Sequence, residues 1–297
     1  MKTPGTTAFK FLKPEDMRRA ASYEFAPKAL VEGYFSGRHR SNDRGASTEF
    51  RDYRQYAAGD DPRRVDWRVF ARSDRLYLRN FHQETSMNCY VLLDSSGSMG
   101  FGENPSKFDY ASFFAAALCY LVIRGKDRVS LCTFDEGVRF FAPLGSTSGH
   151  LHRILHELED NRPGKPTSLS ATLKKIFPLF RQRGSLVILS DFLDDPGAIF
   201  EALATYLHRG FRIYLFHIAA PEELELQDRG LVSFLDLETR RRVVTHTRDL
   251  KRSYGEAMQA HFRNLRTLAR QRQIHHQLAR TDTHYFQLLD VLANRPR

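Results

Sequence analysis

Hydrophobic residues in the middle of this chain come in short, nearly unbroken runs, over 89–93, 129–134, 186–189 and 212–218. Runs this short, rich in Val, Ile, Leu and Phe, predict strands buried on both faces. Between them the apolar spacing becomes helical, over 108–123, 150–158, 169–180 and 196–207. Gly125 and Gly210 stand just past two of these segments and Pro196 opens the last, as helix ends favour. Residues 138–141 follow 129–134 after Asp135-Glu136-Gly137, which predicts a hairpin and one antiparallel strand. Strands alternating with helices predict an α/β fold, a mostly parallel sheet with helices on both faces.

The two ends are patterned differently. Residues 1–24 are polar and basic, with Pro4, Gly5 and Pro14, and read as a flexible arm. Residues 25–84 read as a separate segment packed on the main domain. It holds a short helix over 27–35, a Gly/Ser/Asn/Arg loop over 36–47 and an edge strand over 76–81. The α/β core takes residues 85–220. Residues 221–297 complete it with a hairpin (231–237 and 242–246), a long helix, a strand over 274–279 and a helix over 283–292 capped by Asp282. The long helix carries Tyr254, Met258, Phe262, Leu265 and Leu268 on one face and arginines on the other.

No run of about 18 apolar residues occurs, so no membrane span is expected. The first residues lack the apolar stretch of a secretory signal. Cys89, Cys119 and Cys132 sit inside apolar segments and read as buried thiols in a reducing compartment. A cytoplasmic location is the expectation. Net charge is +10 among 297 residues, and residues 240–297 hold thirteen Lys/Arg against four Asp/Glu. Such a face attracts acidic partners of any kind, although a solvated helix face accounts for it as well. No stacking aromatics are interleaved with the basic stripe of the long helix, which disfavours nucleic acid.

Ligands bind at the carboxyl ends of strands in parallel α/β sheets. Two predicted strands end in acids, Asp94 and Asp191, which places both on one edge of the sheet. Ser96 and Ser98 follow Asp94 at a spacing that turns their oxygens to one side. Thr167, in the loop before the helix at 169, supplies a further oxygen. Carboxylates and hydroxyls with no soft ligand suit Mg²⁺ (or Mn²⁺). A site with few anionic ligands leaves room for an incoming Asp or Glu from a protein partner. The competing reading has Asp94, Ser96 and Ser98 simply cap the helix that follows. The late histidines (His246, His261, His275, His276, His284) show no zinc spacing, and His275 and His276 point to opposite faces of their strand. Glu222, Glu223 and Glu225 read as a solvated acidic loop.

At these residues the sequence resembles the von Willebrand factor A fold with its metal-ion-dependent adhesion site. Asp94-Ser95-Ser96-Gly97-Ser98 stands at the first motif, Thr167 at the second and Asp191 at the third, with Phe192 where a Gly is usual. Upstream, residues 30–38, 49–56, 59–67 and Ala71-Arg72 resemble the bacterial family called domain of unknown function 58. That resemblance implies a von Willebrand factor A-like domain and a role as partner or adaptor of a MoxR-type AAA+ ATPase in a chaperone-like system. Within the upstream motifs, Glu49, Arg51, Asp60, Asp66 and Arg72 are expected to fasten the segment by ion pairs, and Trp67 to bury apolar surface. The expected function is a non-enzymatic, metal-dependent protein-interaction module. A metal-dependent hydrolase or phosphatase using the same acids is an alternative, set aside because the site is expected on an exposed sheet edge. Nucleic-acid binding through the basic C-terminal region is the other alternative.

Overall fold

Apolar residues near the start of the chain find a place to bury, and this orders a segment that its polar composition suggested would be loose. The computed structural model describes residues 9–20, 50–57, 60–81, 87–166, 168–228, 230–238 and 241–293. Helix α1 (Pro14–Ala20) is preceded by Phe9, Phe11 and Leu12, all buried. The Phe11 ring meets Phe113 edge-on at 5.0 Å, Phe9 meets His152 and His156, and Lys10 pairs with Asp109 at 2.8 Å. Residues 9–20 are therefore not a flexible arm: three apolar side chains outweigh the basic residues around them. The helix expected over 27–35 and the loop over 36–47 lie outside the described residues.

The chain forms two units, Arg38–Ser86 and Met1–Gly37 with Met87–Arg297. In the smaller, β1 (Phe50–Gln55) and β2 (Tyr77–Phe81) pair antiparallel, with helix α2 (Trp67–Ser73) between them in sequence. Asp66 caps α2, accepting from the Arg68 N–H at 3.0 Å, and its other oxygen accepts from the Tyr53 hydroxyl at 3.0 Å. Arg54 pairs with Asp60 at 2.6 Å. These acids hold their own segment together. Trp67 is 60% exposed and does not bury the surface expected of it, because the first turn of α2 turns it outward. Glu49 lies outside the described residues.

After α1, the larger unit continues with β3 (Asn88–Asp94), α3 (Lys107–Arg124), β4 (Arg128–Phe134) and β5 (Val138–Gly145). Then come α4 (Ser148–Asp160), α5 (Leu169–Ile176), β6 (Ser185–Ser190), α6 (Pro196–His208) and β7 (Arg212–Ala219). A short α7 (Pro221–Leu224) leads to β8 (Leu231–Leu235), β9 (Arg242–His246), α8 (Thr247–Gln271), β10 (His275–Arg280) and α9 (Phe286–Ala293). The sheet order is β10-β7-β6-β3-β4-β5, parallel except for β5. This is the mixed α/β architecture expected, a mostly parallel sheet covered by helices.

Alternation along the strands sends side chains to two cores. Val91, Leu93, Val187, Leu189 and Phe216 face α3, α4 and α9. Leu92, Phe134, Leu186, Ile188 and Leu215 face α5, α6 and α8. Helix α8 buries Leu265 and Ala269 and leaves its arginines outside. Asp282 does not cap the last helix: it is engaged by Arg280 at 2.8 Å, and the Phe286 N–H donates to His284 Nδ1 instead. Cys89, Cys119 and Cys132 are buried thiols. Among the described residues no helix is long and apolar enough to cross a membrane.

Docking of residues 9–20 has a measurable consequence. Phe11 is 1% exposed, so Phe11→Ala should lower unfolding free energy by about 3 kcal/mol or more. Urea unfolding checks this; a loss near zero would return the segment to a loose arm.

Candidate functional site

Strand order reverses between β3 and β6. From β3 the chain moves one way, to β4 and β5, then returns to the other side for β6 and β7. A crevice opens at the carboxyl ends of two strands so placed. Asp94 ends β3, and Asp191 directly follows β6. The structure therefore brings the two acids read from sequence to neighbouring strand ends, close enough for the Asp191 charge to act on Asp94.

The loop after β3 is held by its own short polar side chains. Asp94 Oδ1 accepts from the Ser96 N–H at 2.9 Å, and Asp94 Oδ2 accepts from the Ser190 hydroxyl at 2.6 Å. The Ser96 and Ser98 hydroxyls lie 3.0 Å apart. Asn161 donates to the Ser95 hydroxyl at 2.7 Å, and the Gly97 N–H donates to the Lys165 carbonyl at 2.8 Å. Helix capping is not what these residues do. Helix α3 is capped by Ser106, whose hydroxyl accepts from the Asp109 N–H at 3.1 Å, and Ser96 makes no side-chain cap bond. Asp94, Ser96, Ser98 and Asp191 are gathered; Thr167 lies outside the described residues, although Lys165 of the same loop pairs with Ser96.

Three features were not read from the sequence. The first is Lys107, at the first turn of α3. Its side chain is fully buried and its ammonium reaches Asp191 at 2.8 Å and Glu223 at 2.5 Å. A cation at a helix N-terminus faces the positive end of the dipole. Burial pulls its proton affinity down further, but Asp191 and Glu223 outweigh this and hold it above the ordinary lysine value. Glu223 is thus no solvated loop residue: burial raises its carboxyl, and the Lys107 charge offsets only part of that. The second is Glu238, beyond β8, whose turn comes up against Gly97; burial first, then the Asp191 charge, raise its carboxyl. The third is His217 on β7, whose proton affinity burial pulls well below the ordinary histidine value. A lysine at a helix start, a glutamate in a hairpin turn and a strand histidine carry no local signal of such roles.

Phe192 stands in the left-handed region at φ 51°, where a glycine is free of strain. Its ring is buried against His217 at 5.5 Å, and its carbonyl accepts from His261 Nε2 at 3.0 Å. These contacts offset a local cost of roughly 1–2 kcal/mol.

The site is not an exposed rim. Asp94 is fully buried and Asp191 is 2% exposed, beneath the loop at 163–165 and the turn that carries Glu238. Burial first, then the Asp191 charge, push the Asp94 carboxyl up to about 7. The Asp191 charge acts on Asp94, Glu223 and Glu238 alike, and Lys107 is the ammonium paired with Asp191 and Glu223. The donors at these strand ends are oxygens only. No three His, Cys, Asp or Glu side chains gather as ligands among the described residues, so two carboxylates and two hydroxyls make up the set.

The sequence profile of one family matches residues 52–264. The chain belongs to that family, described as "Protein of unknown function DUF58". The match takes in β1 at one end and most of α8 at the other, hence the whole site of this DUF58 chain. It is 28% identical over 221 residues to the uncharacterized proteins Rv1480 of Mycobacterium tuberculosis and Mb1516 of Mycobacterium bovis, covering 73% of this chain and 69% of each relative. Among solved structures, the conserved hypothetical protein BatB from Bacteroides thetaiotaomicron aligns with 70% of this chain and 96% of its own, at TM-score 0.48 and 16% identity.

Two outcomes follow from the buried charges. Lys107→Met leaves Asp191 and Glu223 without their cation, so stability should fall by about 3 kcal/mol or more in urea at pH 7. No loss would show the pair to be dispensable. Separately, burial first, then the charges of His275, Arg266 and His261, lower His276 from 6.5 to about 4. Its folded value lies below its unfolded one, so its contribution is complete above about pH 6.5 and is lost as pH falls towards 4. His276→Gln should flatten stability against pH in that window by up to roughly 3 kcal/mol; parallel curves for variant and wild type would sink the assignment.

Proposed function

We propose that this chain is a non-enzymatic protein-interaction module, built on a von Willebrand factor A-like domain, that presents a divalent cation to an acidic side chain of a protein partner. The observation that carries it is the meeting of Asp94, Ser96, Ser98 and Asp191 at the strand-order reversal, with more buried carboxylates than ammonium groups to balance them. Mg²⁺ (or Mn²⁺) suits donors that are all oxygen. The residues that would hold it are Asp94, Ser96, Ser98 and Asp191, with Thr167 as the expected addition. When bound, it supplies a Lewis-acidic position that a partner's Asp or Glu can complete.

What the chain's own residues do supports binding rather than turnover. Asp94 is engaged by Ser96 and Ser190, and Asp191 by Lys107, so the chain itself holds both side chains in place. The Ser96 and Ser98 hydroxyls bond to each other at 3.0 Å. We further propose that the partner is a MoxR-type AAA+ ATPase and that the module acts in the cytoplasm; the first follows from the family resemblance, the second from buried thiols.

The experiment is affinity capture from the native cell with the full chain, in Mg²⁺ and in EDTA, beside Asp94→Asn. The variant keeps the shape of a buried side chain and removes its charge. Capture should require Mg²⁺ and fall at least tenfold in Asp94→Asn, about the worth of one charge-assisted contact. Equal capture in EDTA would end the metal reading. Metal-dependent capture without an AAA+ ATPase among the retained proteins would keep the module and remove that partner.

A further inference from the structure

The β8–β9 hairpin is held at both ends and bare between them. At its base the Thr247 N–H donates to the Gly230 carbonyl at 3.0 Å, and the Thr247 hydroxyl donates to Asp228 Oδ1 at 3.1 Å. At its tip the Asp236 N–H donates to the Arg241 carbonyl at 2.9 Å. The turn rests against position 97, where a Cβ would meet the Leu237 carbonyl at 3.0 Å. Between these anchors Leu231, Leu235 and Val244 are exposed on one face, and Phe234 and Val243 on the other. A two-stranded ribbon with so little cover is marginal by itself, and a third strand is what completes such a sheet.

The backbone fixes where that strand would lie. Gly230 is bonded to Thr247 and Asp236 to Arg241, so the inward-facing N–H and C=O groups fall at even positions of β8 and odd positions of β9. Those of Leu231, Ser233 and Leu235 therefore point out along one edge, and those of Arg242, Val244 and His246 along the other. Among the described residues no third strand pairs with either edge. The β9 edge is the charged one. Arg242 and His246 flank Val244, exposed Arg248, Lys251 and Arg252 follow, and residues 240–252 hold six Lys/Arg against the single acid Asp249. Cations on an open edge repel a second copy. Two β9 strands paired antiparallel about Val244 would set each Arg242 against the other's His246. An acid-bearing strand meets attraction at the same positions.

We propose that the open edge of β9 is a docking site for an extended, acid-bearing segment of a protein partner, which adds a third strand to the hairpin. Its main chain pairs with the outward N–H and C=O groups of Arg242, Val244 and His246, as in strand addition to a sheet edge. Its acids lie on the face of Arg242 and His246, and its apolar side chains cover Val243 and Phe234 on the other. This goes beyond the metal reading and does not depend on it, since the contact needs no cation.

The test uses the full chain and a short synthetic peptide of alternating Val and Glu, read by residue-resolved hydrogen exchange. The peptide should protect the N–H groups of Arg242, Val244 and His246 and leave those of Val243 and Thr245, already bonded to β8, unchanged. A Val–Lys peptide should protect none of them, and salt should weaken the Val–Glu effect. Val244→Pro removes one outward N–H at an edge position that tolerates proline, and should abolish protection. Arg242→Glu should weaken the Val–Glu peptide about two- to fivefold and admit the Val–Lys peptide. No protection by the Val–Glu peptide at its solubility limit, or equal protection by Val–Lys, overturns the proposal. Protection that grows with protein concentration alone gives the edge to a second copy, and protection by anionic phospholipid vesicles but not by peptide gives it to a membrane surface; either result replaces the acidic strand. Asp94→Asn should bind the peptide as the wild type does, so this inference and the metal reading fail separately.

Discussion

A buried ammonium among carboxylates governs how this site is built. Lys107 has no contact with water and begins a helix whose dipole disfavours it. It stays charged because Asp191 and Glu223 lie on either side, one from the loop after β6 and one from α7. The lysine thus joins α3, the β6 end and the segment after β7 at one point. Each of these acids is tolerable in a dry interior only while the lysine is present. Asp94 lies outside these two ion pairs, and burial first, then the Asp191 charge, raise its carboxyl.

The fold supplies this arrangement through topology rather than through local sequence. With β3 central and β4 and β6 on opposite sides of it, the connections leave in opposite directions and expose the strand ends. The loop after β6 then has to turn sharply, and the chain accepts a phenylalanine in the left-handed region to do so. A glycine would relieve the backbone but give up the Phe192 ring on His217 and its place in the core. Strain at the turn is exchanged for side-chain packing, with the Phe192 carbonyl fixed by His261.

Much of the larger unit was legible because its strands are short apolar runs and its helices keep their spacing; β3, β4, β6 and β7 fall where those runs lie. Asp94 and Asp191 were legible for the same reason, as acids at the ends of such runs. What escaped depends on contacts far apart in sequence. Lys107 and Glu223 are 116 residues apart, and nothing near either announces the other. Phe11 looked like part of a basic arm because its partner Phe113 belongs to α3. Trp67 was misjudged the other way: an aromatic residue alone does not say which face of a short helix it occupies. The expected exposed rim failed because a hairpin from the C-terminal part folds over it, and the length of β8 and β9 does not reveal where their turn will rest.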